Sequence, residues 1–233
     1  MKGEFHIFII WENAESWRNE ILCDLKSHFE IAESFKMCWP KEKFSENLTR
    51  FYAFKITKES ENESVVGTGE FELLVVRDRN PVYGDRMTAK QGVHYVNTNI
   101  FDAKTRYRNL TGKFRVHATN SSLEFRHDIA LLLGVSDKEY YNGNYGNMSR
   151  YAFFGRQLTG MNGWKDVQEV LFVLENCTDA VIEKVTIIDE TPHYKIATES
   201  IEKTKLTLGM ESYEIETLLE TQNGKLYLEF VEK

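Results

Sequence analysis

Residues 113–134 read KFRVHATNSSLEFRHDIALLLG, and this stretch decides how the first half of the chain folds. It opens with a short run of strand character that reaches a histidine, His117. The polar turn that follows contains Ser121 and Glu124 at the S-x-x-E spacing of a capping box, which marks the start of a helix. The stretch therefore predicts a histidine at a strand end, close to a helix N-terminus whose backbone amides favour phosphate.

The hydrophobic pattern before this stretch alternates between strands and helices. We expect strands over 5–11, 31–39, 70–77 and 113–118, and helices over 14–29, 41–54, 98–109 and 120–133. Residues 57–69 and 78–92 are rich in polar residues and glycine, so we expect loops or irregular structure there. This element order is that of a ferredoxin-like, or split βαβ, fold: an α+β protein whose antiparallel sheet carries its helices on one face.

The rest of the chain has a different pattern. Residues 135–163 are rich in Tyr, Gly and Asn and are expected to be mostly loop, whereas 164–176 predict a helix. From residue 183 onward, apolar alternation and an Asn-Gly hairpin signal predict a β-meander with strands over 184–190, 193–199, 204–210, 213–220 and 225–232. We therefore expect three parts, a ferredoxin-like domain, a loop-rich and helical connector and a β-rich extension, over 1–134, 135–182 and 183–233.

Composition and charge limit the class of protein. The 233 residues are 42% hydrophobic, which is enough for a buried core, and the formal net charge is −7. Such an acidic chain argues against nucleic acid as a partner, because nucleic-acid binders present a basic surface. The sequence has no apolar run of the ~20 residues that a membrane span needs. Three cysteines without a CxxC pair suit a reducing compartment, so we expect a cytoplasmic protein without membrane insertion.

The segment that begins at His117 resembles the active-site motif of the nucleoside diphosphate kinases, H-G-S-D-S-x-E-x-A-x-x-E-I-x-L. The same register here contains His117, Ala118, Thr119, Asn120, Ser121, Asp128, Ile129 and Leu131, and Glu124 lies one residue after the position of the motif's first glutamate. In that family the histidine is phosphorylated and passes the phosphoryl group between nucleotides, while the glutamate before the Ile orients it. The resemblance covers about residues 4–134 and implies the same split βαβ fold.

The resemblance implies a set of site residues. His117 corresponds to the phosphorylated histidine and Asp128 to its orienting carboxylate. The substrate and phosphate ligands that it implies are Tyr52, Arg86, Lys104, Arg106, Arg108, Thr119, Asn120 and Ser121. It also implies Mg²⁺ bound with the nucleotide, held mostly by the substrate phosphates and not by a protein metal site. Because the related kinases are oligomers, we expect a homo-oligomer.

The sequence departs from the family motif at several positions. Trp11 replaces the phosphate-binding lysine that follows the first strand, and Phe114 replaces an asparagine three residues before the histidine. Loss of a cationic phosphate contact weakens transition-state stabilisation. A second similarity, over residues 107–134, 163–164 and 170–174, is to bacterial proteins of surface-polysaccharide gene clusters. It implies a role near sugar phosphates or glycans, as in polysaccharide biosynthesis.

Three functions remain open at this point. We favour a phosphotransferase that acts on a nucleotide or a phosphorylated sugar through a phosphohistidine at His117. The alternative is a non-catalytic nucleotide- or glycan-binding module that retains the kinase-like fold, in which His117 is a structural histidine and the basic residues form a solvated face. The third is an assembly protein whose β-rich tail pairs with itself or a partner, for which an open sheet edge is the signature. His127, beside Asp128, is expected to be a surface residue.

Overall fold

The computed structural model describes residues 3–88, 92–144, 164–210 and 214–233. The chain divides into two compact units, the first formed by residues 1–44 and 58–128 and the second by residues 45–57 and 129–233. The three parts expected from the sequence stay a prediction about organisation. None of the described helices is both long and apolar enough to span a bilayer.

The first unit contains six strands and the helices that connect them. Its strands are β1 (Glu4–Ile10), β2 (Glu30–Met37), β3 (Phe71–Asp78), β4 (Tyr83–Thr88), β5 (Gly92–Asn97) and β6 (Val116–Ala118). Its helices are α1 (Arg18–His28), α3 (Glu61–Val66), α4 (Thr98–Thr111) and the first half of α5 (Ser122–Leu133). The second helix of the chain, α2 (Phe44–Tyr52), lies almost wholly in the second unit.

Four of these strands form an antiparallel sheet in the order β2-β3-β1-β6. Counted without the β4–β5 hairpin, this is the strand order of the ferredoxin-like fold. Helices α1 and α4 cover one face, where their apolar residues pack on alternate residues of β1, β3 and β6. The expected α+β class is confirmed. Helix α5 adds contacts on the other face, since the rings of Phe125 and Phe5 stack with their centroids 6.2 Å apart.

Two segments expected to be irregular have regular structure. Residues 61–66 form α3, whose N-terminus is capped by the Ser60 hydroxyl. Residues 83–97 contain the β4–β5 hairpin, whose strands pair with each other and lie outside the main sheet. Most residues of these two strands are exposed or partly exposed, so their sequence lacks the continuous apolar run of a strand that is buried on both faces. The sequence therefore did not predict them.

The second unit contains α6 (Asp137–Tyr141), α7 (Val167–Cys177) and α8 (Ile201–Leu208), with strands β7 (Val181–Ile188), β8 (Thr191–Thr198), β9 (Glu216–Thr221) and β10 (Gly224–Glu232). The strands form a sheet in the order β7-β8-β10-β9, in which β8 and β10 are parallel. The helix over 164–176 is confirmed, but the β-meander is wrong. The expected strand over 204–210 lies mostly in α8, which connects β8 to the last two strands.

The sequence of α8 explains this error. The Ser200 hydroxyl accepts a hydrogen bond from the Lys203 backbone amide at 3.3 Å and caps the helix. Its buried residues Thr204, Lys205, Thr207 and Leu208 recur at helical spacing. A short run in which apolar and polar residues alternate fits a strand and a short helix almost equally well, and here the cap favours the helix.

Candidate functional site

The core formed with α1 and α4 lies on one face of the sheet, and strand β6 directs the side chain of His117 to the opposite face. Its neighbours Val116 and Ala118 both belong to that core, and successive side chains of a strand point to opposite faces. His117 pairs with Ile9 of β1. The imidazole therefore lies on the face that α5 contacts, and its side chain is 14% exposed.

Helix α5 brings Asp128 to this imidazole. The start of the helix is held by the Ser121 hydroxyl, which accepts from the Glu124 amide at 3.3 Å. The Glu124 carboxylate in turn accepts from the backbone amide of Asn120 at 2.7 Å. In the capping box predicted from the sequence, this carboxylate would accept from the amide of Ser121, one residue later. One and a half turns further along the helix, Oδ2 of Asp128 lies 2.8 Å from Nε2 of His117.

A second imidazole shares the same carboxylate. Nδ1 of His127 lies 2.8 Å from Oδ1 of Asp128, so each carboxylate oxygen contacts one ring. The Asp128 side chain is only 6% exposed, which places a charge between two rings with little water around it. His127 was expected at the surface, and its position next to Asp128 in the sequence was the only signal for this contact.

The carboxylate determines the tautomers of both rings. Burial alone raises the pKa of Asp128, but the two imidazoles outweigh it and hold that pKa below its ordinary value. An ionised carboxylate can only accept hydrogen bonds, so the ring nitrogens that face it must both carry protons. In its neutral form, His117 therefore carries its proton on Nε2 and its lone pair on Nδ1.

Two of the expected phosphate ligands form ion pairs with carboxylates of the first unit. Arg86 of β4 donates twice to Asp102 of α4, at 2.9 and 2.8 Å. Arg106 donates to Asp24 of α1 at 2.8 Å. Both arginines therefore stabilise the packing around α4, and neither contact lies on β6 or α5.

Two others, Lys104 and Arg108, cover one of the two edges of the main sheet. Strand β6 is at that edge, and the residues that bond to β1 are Arg115, whose carbonyl accepts from Trp11, and Thr119, whose amide donates to Ile7. The carbonyls of Val116 and Ala118 therefore point outward. Arg108 Nε donates to the first at 2.8 Å, and Lys104 Nζ donates to the second at 3.0 Å.

Lys104 is nearly buried, at 6% exposure, and it also donates to the Asn120 side chain. Burial lowers the pKa of Lys104 to about 8, and the positive charge of Arg108 acts in the same direction. A lysine with these contacts orders the turn that follows His117.

The three polar residues after His117 form internal hydrogen bonds. Thr119 is fully buried; its hydroxyl accepts from the Ile7 amide at 3.0 Å and lies 3.1 Å from Nδ1 of His6. The Asn120 carbonyl accepts from the Asn97 amide at 2.8 Å. Ser121 caps α5. The remaining expected ligand, Tyr52, belongs to the second unit, where its ring contacts Phe51 and Phe54.

The position of the family's phosphate-binding lysine is filled by a buried aromatic cluster. Trp11 is 1% exposed, and its ring centroid lies 5.7 Å from that of Trp39 and 4.8 Å from that of Phe71. This cluster stabilises the end of β1 and offers no cation there. Phe114 is half exposed and lies under the guanidinium of Arg108, which is 5.0 Å from the ring centroid.

No group of three or more His, Cys, Asp and Glu side chains within the described residues is arranged to hold a metal ion. Both oxygens of Asp128 contact imidazoles, and both oxygens of Glu124 accept from Asn120. The oxygens of these two carboxylates are therefore occupied by contacts within the protein.

No family model matches this chain, and no curated protein matches it. The resemblance of the His117 segment to nucleoside diphosphate kinases stays an expectation based on the motif.

Proposed function

We propose that the chain is a phosphotransferase in which His117 carries the phosphoryl group of a nucleotide or a phosphorylated sugar. The observation that supports this proposal is the contact between Nε2 of His117 and the buried carboxylate of Asp128 at 2.8 Å. It leaves the lone pair on Nδ1 and holds the ring in one orientation, which is what a nitrogen nucleophile needs. Helix α5 begins five residues after His117, and its N-terminal partial positive charge favours a phosphate group nearby.

The proposed transfer has two halves. Nδ1 of His117 attacks the terminal phosphorus of the donor, an N–P bond forms, and the P–O bond to the leaving diphosphate breaks. Asp128 stabilises the positive charge that develops on the ring by accepting from Nε2–H. A phosphate oxygen of the acceptor then attacks the same phosphorus, the N–P bond breaks, and the neutral imidazole returns. Mg²⁺, when bound with the donor, neutralises the phosphate oxygens.

Label transfer tests this proposal. The chain is incubated with γ-labelled ATP or GTP and Mg²⁺, and the protein-bound label is then treated with acid and with alkali. We expect an acid-labile, alkali-stable phosphate that disappears in His117→Ala. His28→Ala is the matched control, because His28 is half exposed on α1 and has no contact with Asp128. Absence of label on folded protein, or label that survives in His117→Ala, contradicts a carrier at this position.

The second candidate is the non-catalytic nucleotide- or glycan-binding module. It is favoured by the buried aromatic cluster around Trp11, which replaces a phosphate-binding cation. It is also favoured by the contacts of Arg86, Arg106 and Lys104 within the protein, because a kinase needs such cationic side chains to bind phosphate. Calorimetric titration with nucleotides and nucleotide sugars separates the two. Saturable binding without protein-bound label, unchanged in His117→Ala, supports the binding module.

A further inference from the structure

One edge strand of the second unit's sheet, β7, has an outer side on which no strand pairs within the described residues. It is the first strand in the order β7-β8-β10-β9 and pairs with β8 on one side only. Seven of its eight residues are exposed. The large apolar side chains among them are 41–75% exposed; they are Val181, Ile182, Val185, Ile187 and Ile188. A long apolar edge whose backbone groups face outward is a template for another strand.

The other sheet of the same chain shows what a closed edge looks like. At the edge of the first unit, Lys104 and Arg108 donate to the outward carbonyls of β6 and so prevent a further strand from pairing there. Strand β7 carries a β-bulge between Ile182 and Lys184, and its Glu183 lies 3.6 Å from Lys195, but no side chain among the described residues donates to its outward carbonyls. An apolar edge left in this state is suited to association.

The sequence of β7 is nearly a palindrome in chemical type. Read forwards, residues 181–186 are Val-Ile-Glu-Lys-Val-Thr, and read backwards they are Thr-Val-Lys-Glu-Ile-Val. An antiparallel strand with the same sequence therefore sets β-branched residues opposite each other on both flanks and an acid opposite a base at the centre. The opposing pairs are Val181–Thr186, Ile182–Val185 and Glu183–Lys184, and each occurs twice.

A β-bulge makes this register possible. In a regular strand, residues an odd number apart point to opposite faces, so Ile182 and Val185 could not share one. The bulge between Ile182 and Lys184 adds a residue: Ile182 pairs with Ile196 and Val185 with Tyr194, which lie two apart on β8 and hence on the same face. A two-fold axis perpendicular to the sheet places the same face of both copies on the same side of the joined sheet. Ile182 of one copy can therefore contact Val185 of the other.

We propose that β7 pairs antiparallel with β7 of a second copy of this chain and joins two four-stranded sheets across a two-fold axis. The two Ile182–Val185 pairs then pack on the sheet face that carries the fully buried Ile196. The central charges favour an identical strand, because a strand without an acid at this position leaves Lys184 opposite an uncharged group. About six residues from each strand bury less than the ~1,000 Å² of a stable interface, so the dimer is weak and depends on concentration.

Sedimentation equilibrium of the full chain, from low to high micromolar concentration, tests this proposal. We expect a monomer–dimer equilibrium in the wild type and monomer throughout in Val185→Lys, which sets a lysine against each Ile182. The matched control is Val93→Lys on β5, because Val93 is 60% exposed and Val185 is 52% exposed. Val93→Lys should associate as the wild type does. A wild type that is monomeric at every concentration overturns the proposal, and so does a dimer that persists in Val185→Lys or disappears in Val93→Lys.

Charge reversal tests the register without changing the apolar surface. Glu183→Lys and Lys184→Glu each set like charges opposite each other twice, so each should raise the dimer dissociation constant roughly tenfold. The double variant restores the opposite pairs and should return the constant to near the wild-type value. A double variant as weak as the single ones overturns the palindromic register, and circular dichroism of each variant verifies that it is folded.

Discussion

One carboxylate, Asp128, holds two imidazoles at the centre of the candidate site. Because its pKa is lowered, it is ionised near neutral pH and accepts from Nε2–H of His117 and Nδ1–H of His127. The contact thus places the lone pair of neutral His117 on Nδ1, the nitrogen that we propose as the nucleophile. The contact between Asp128 and His117 could be predicted from the sequence, because the motif places an aspartate eleven residues after the histidine. The contact between His127 and Asp128 could not be predicted, because neighbouring residues on a helix point in different directions.

Replacement of Asp128 by Asn should remove most of the phosphoryl transfer. An amide presents one acceptor and one donor, so one imidazole must turn its tautomer or lose its hydrogen bond. We expect the initial rate of label transfer from ATP to fall by roughly 10²–10⁴-fold. A rate within a few-fold of the wild type, measured on folded protein, shows that the carboxylate does not orient the nucleophile.

His127 should contribute by holding Oδ1 of Asp128, so that Oδ2 faces His117. His127→Ala loses one charge-assisted hydrogen bond and should slow label transfer by about tenfold. His127→Asn should keep most of the rate, because its amide nitrogen can donate from nearly the position of Nδ1. The two variants are compared by their initial rates at equal ATP. Equal rates for His127→Ala and the wild type show that His127 has no role in positioning.

Lys104 should make stability depend on pH in the alkaline range. Its pKa is about 8 in the folded chain and near its ordinary 10.5 in the unfolded chain. Between these values the unfolded chain holds a proton that the folded chain has released, so the free energy of unfolding rises with pH. The rise should reach at most about 3 kcal/mol, since one pKa unit corresponds to about 1.4 kcal/mol. Urea unfolding at pH 8 and at pH 10 should show it in the wild type and not in Lys104→Met.

At the scale of elements, the edge strand β6 depends on α4 for protection. This strand has three residues, with His117 in the middle. The outward carbonyls of the other two, Val116 and Ala118, accept hydrogen bonds from Arg108 and Lys104. The basic residues of α4 looked like phosphate ligands in the sequence. Their roles at a sheet edge depend on tertiary contacts that periodicity does not contain.

Replacement of Arg108 by Ala should open this edge. The Val116 carbonyl loses its donor, which should lower the free energy of unfolding by about 1–2 kcal/mol and increase aggregation at high concentration. Arg106→Ala is the matched control from the same helix, because Arg106 pairs with Asp24 at the surface. Light scattering during mild heating compares the two. If Arg106→Ala aggregates as readily as Arg108→Ala, the effect comes from lost charge and not from the edge.

The elements that could be predicted were those with a strong local signal. Helix α1 followed from the spacing of its apolar residues and the start of α5 from a capping box, and the buried strands β1 and β3 followed from continuous apolar runs. The hairpin β4–β5 was missed because its strands lack an apolar run. Helix α8 was missed because its short alternating pattern fits a strand and a helix almost equally well.

At the scale of the whole molecule, the candidate site and the proposed contact surface belong to different units. His117, Asp128 and His127 lie in the first unit, and β7 lies in the second. The acidic net charge of −7 favours solubility. A weak dimer through β7 leaves the face of β6 that carries His117 outside the pairing strands, so dimerisation and phosphoryl transfer can be tested separately.

The most direct test of the phosphohistidine is the position of the phosphorus on the ring. Phosphorylated protein labelled with ¹⁵N-histidine is examined by ¹⁵N and ³¹P NMR, and the coupled nitrogen is identified. The contact of Nε2 with Asp128 predicts phosphorus on Nδ1 of His117, with Nε2 still carrying its proton. Phosphorus on Nε2, on another histidine or on no histidine contradicts the assignment of His117 as the carrier.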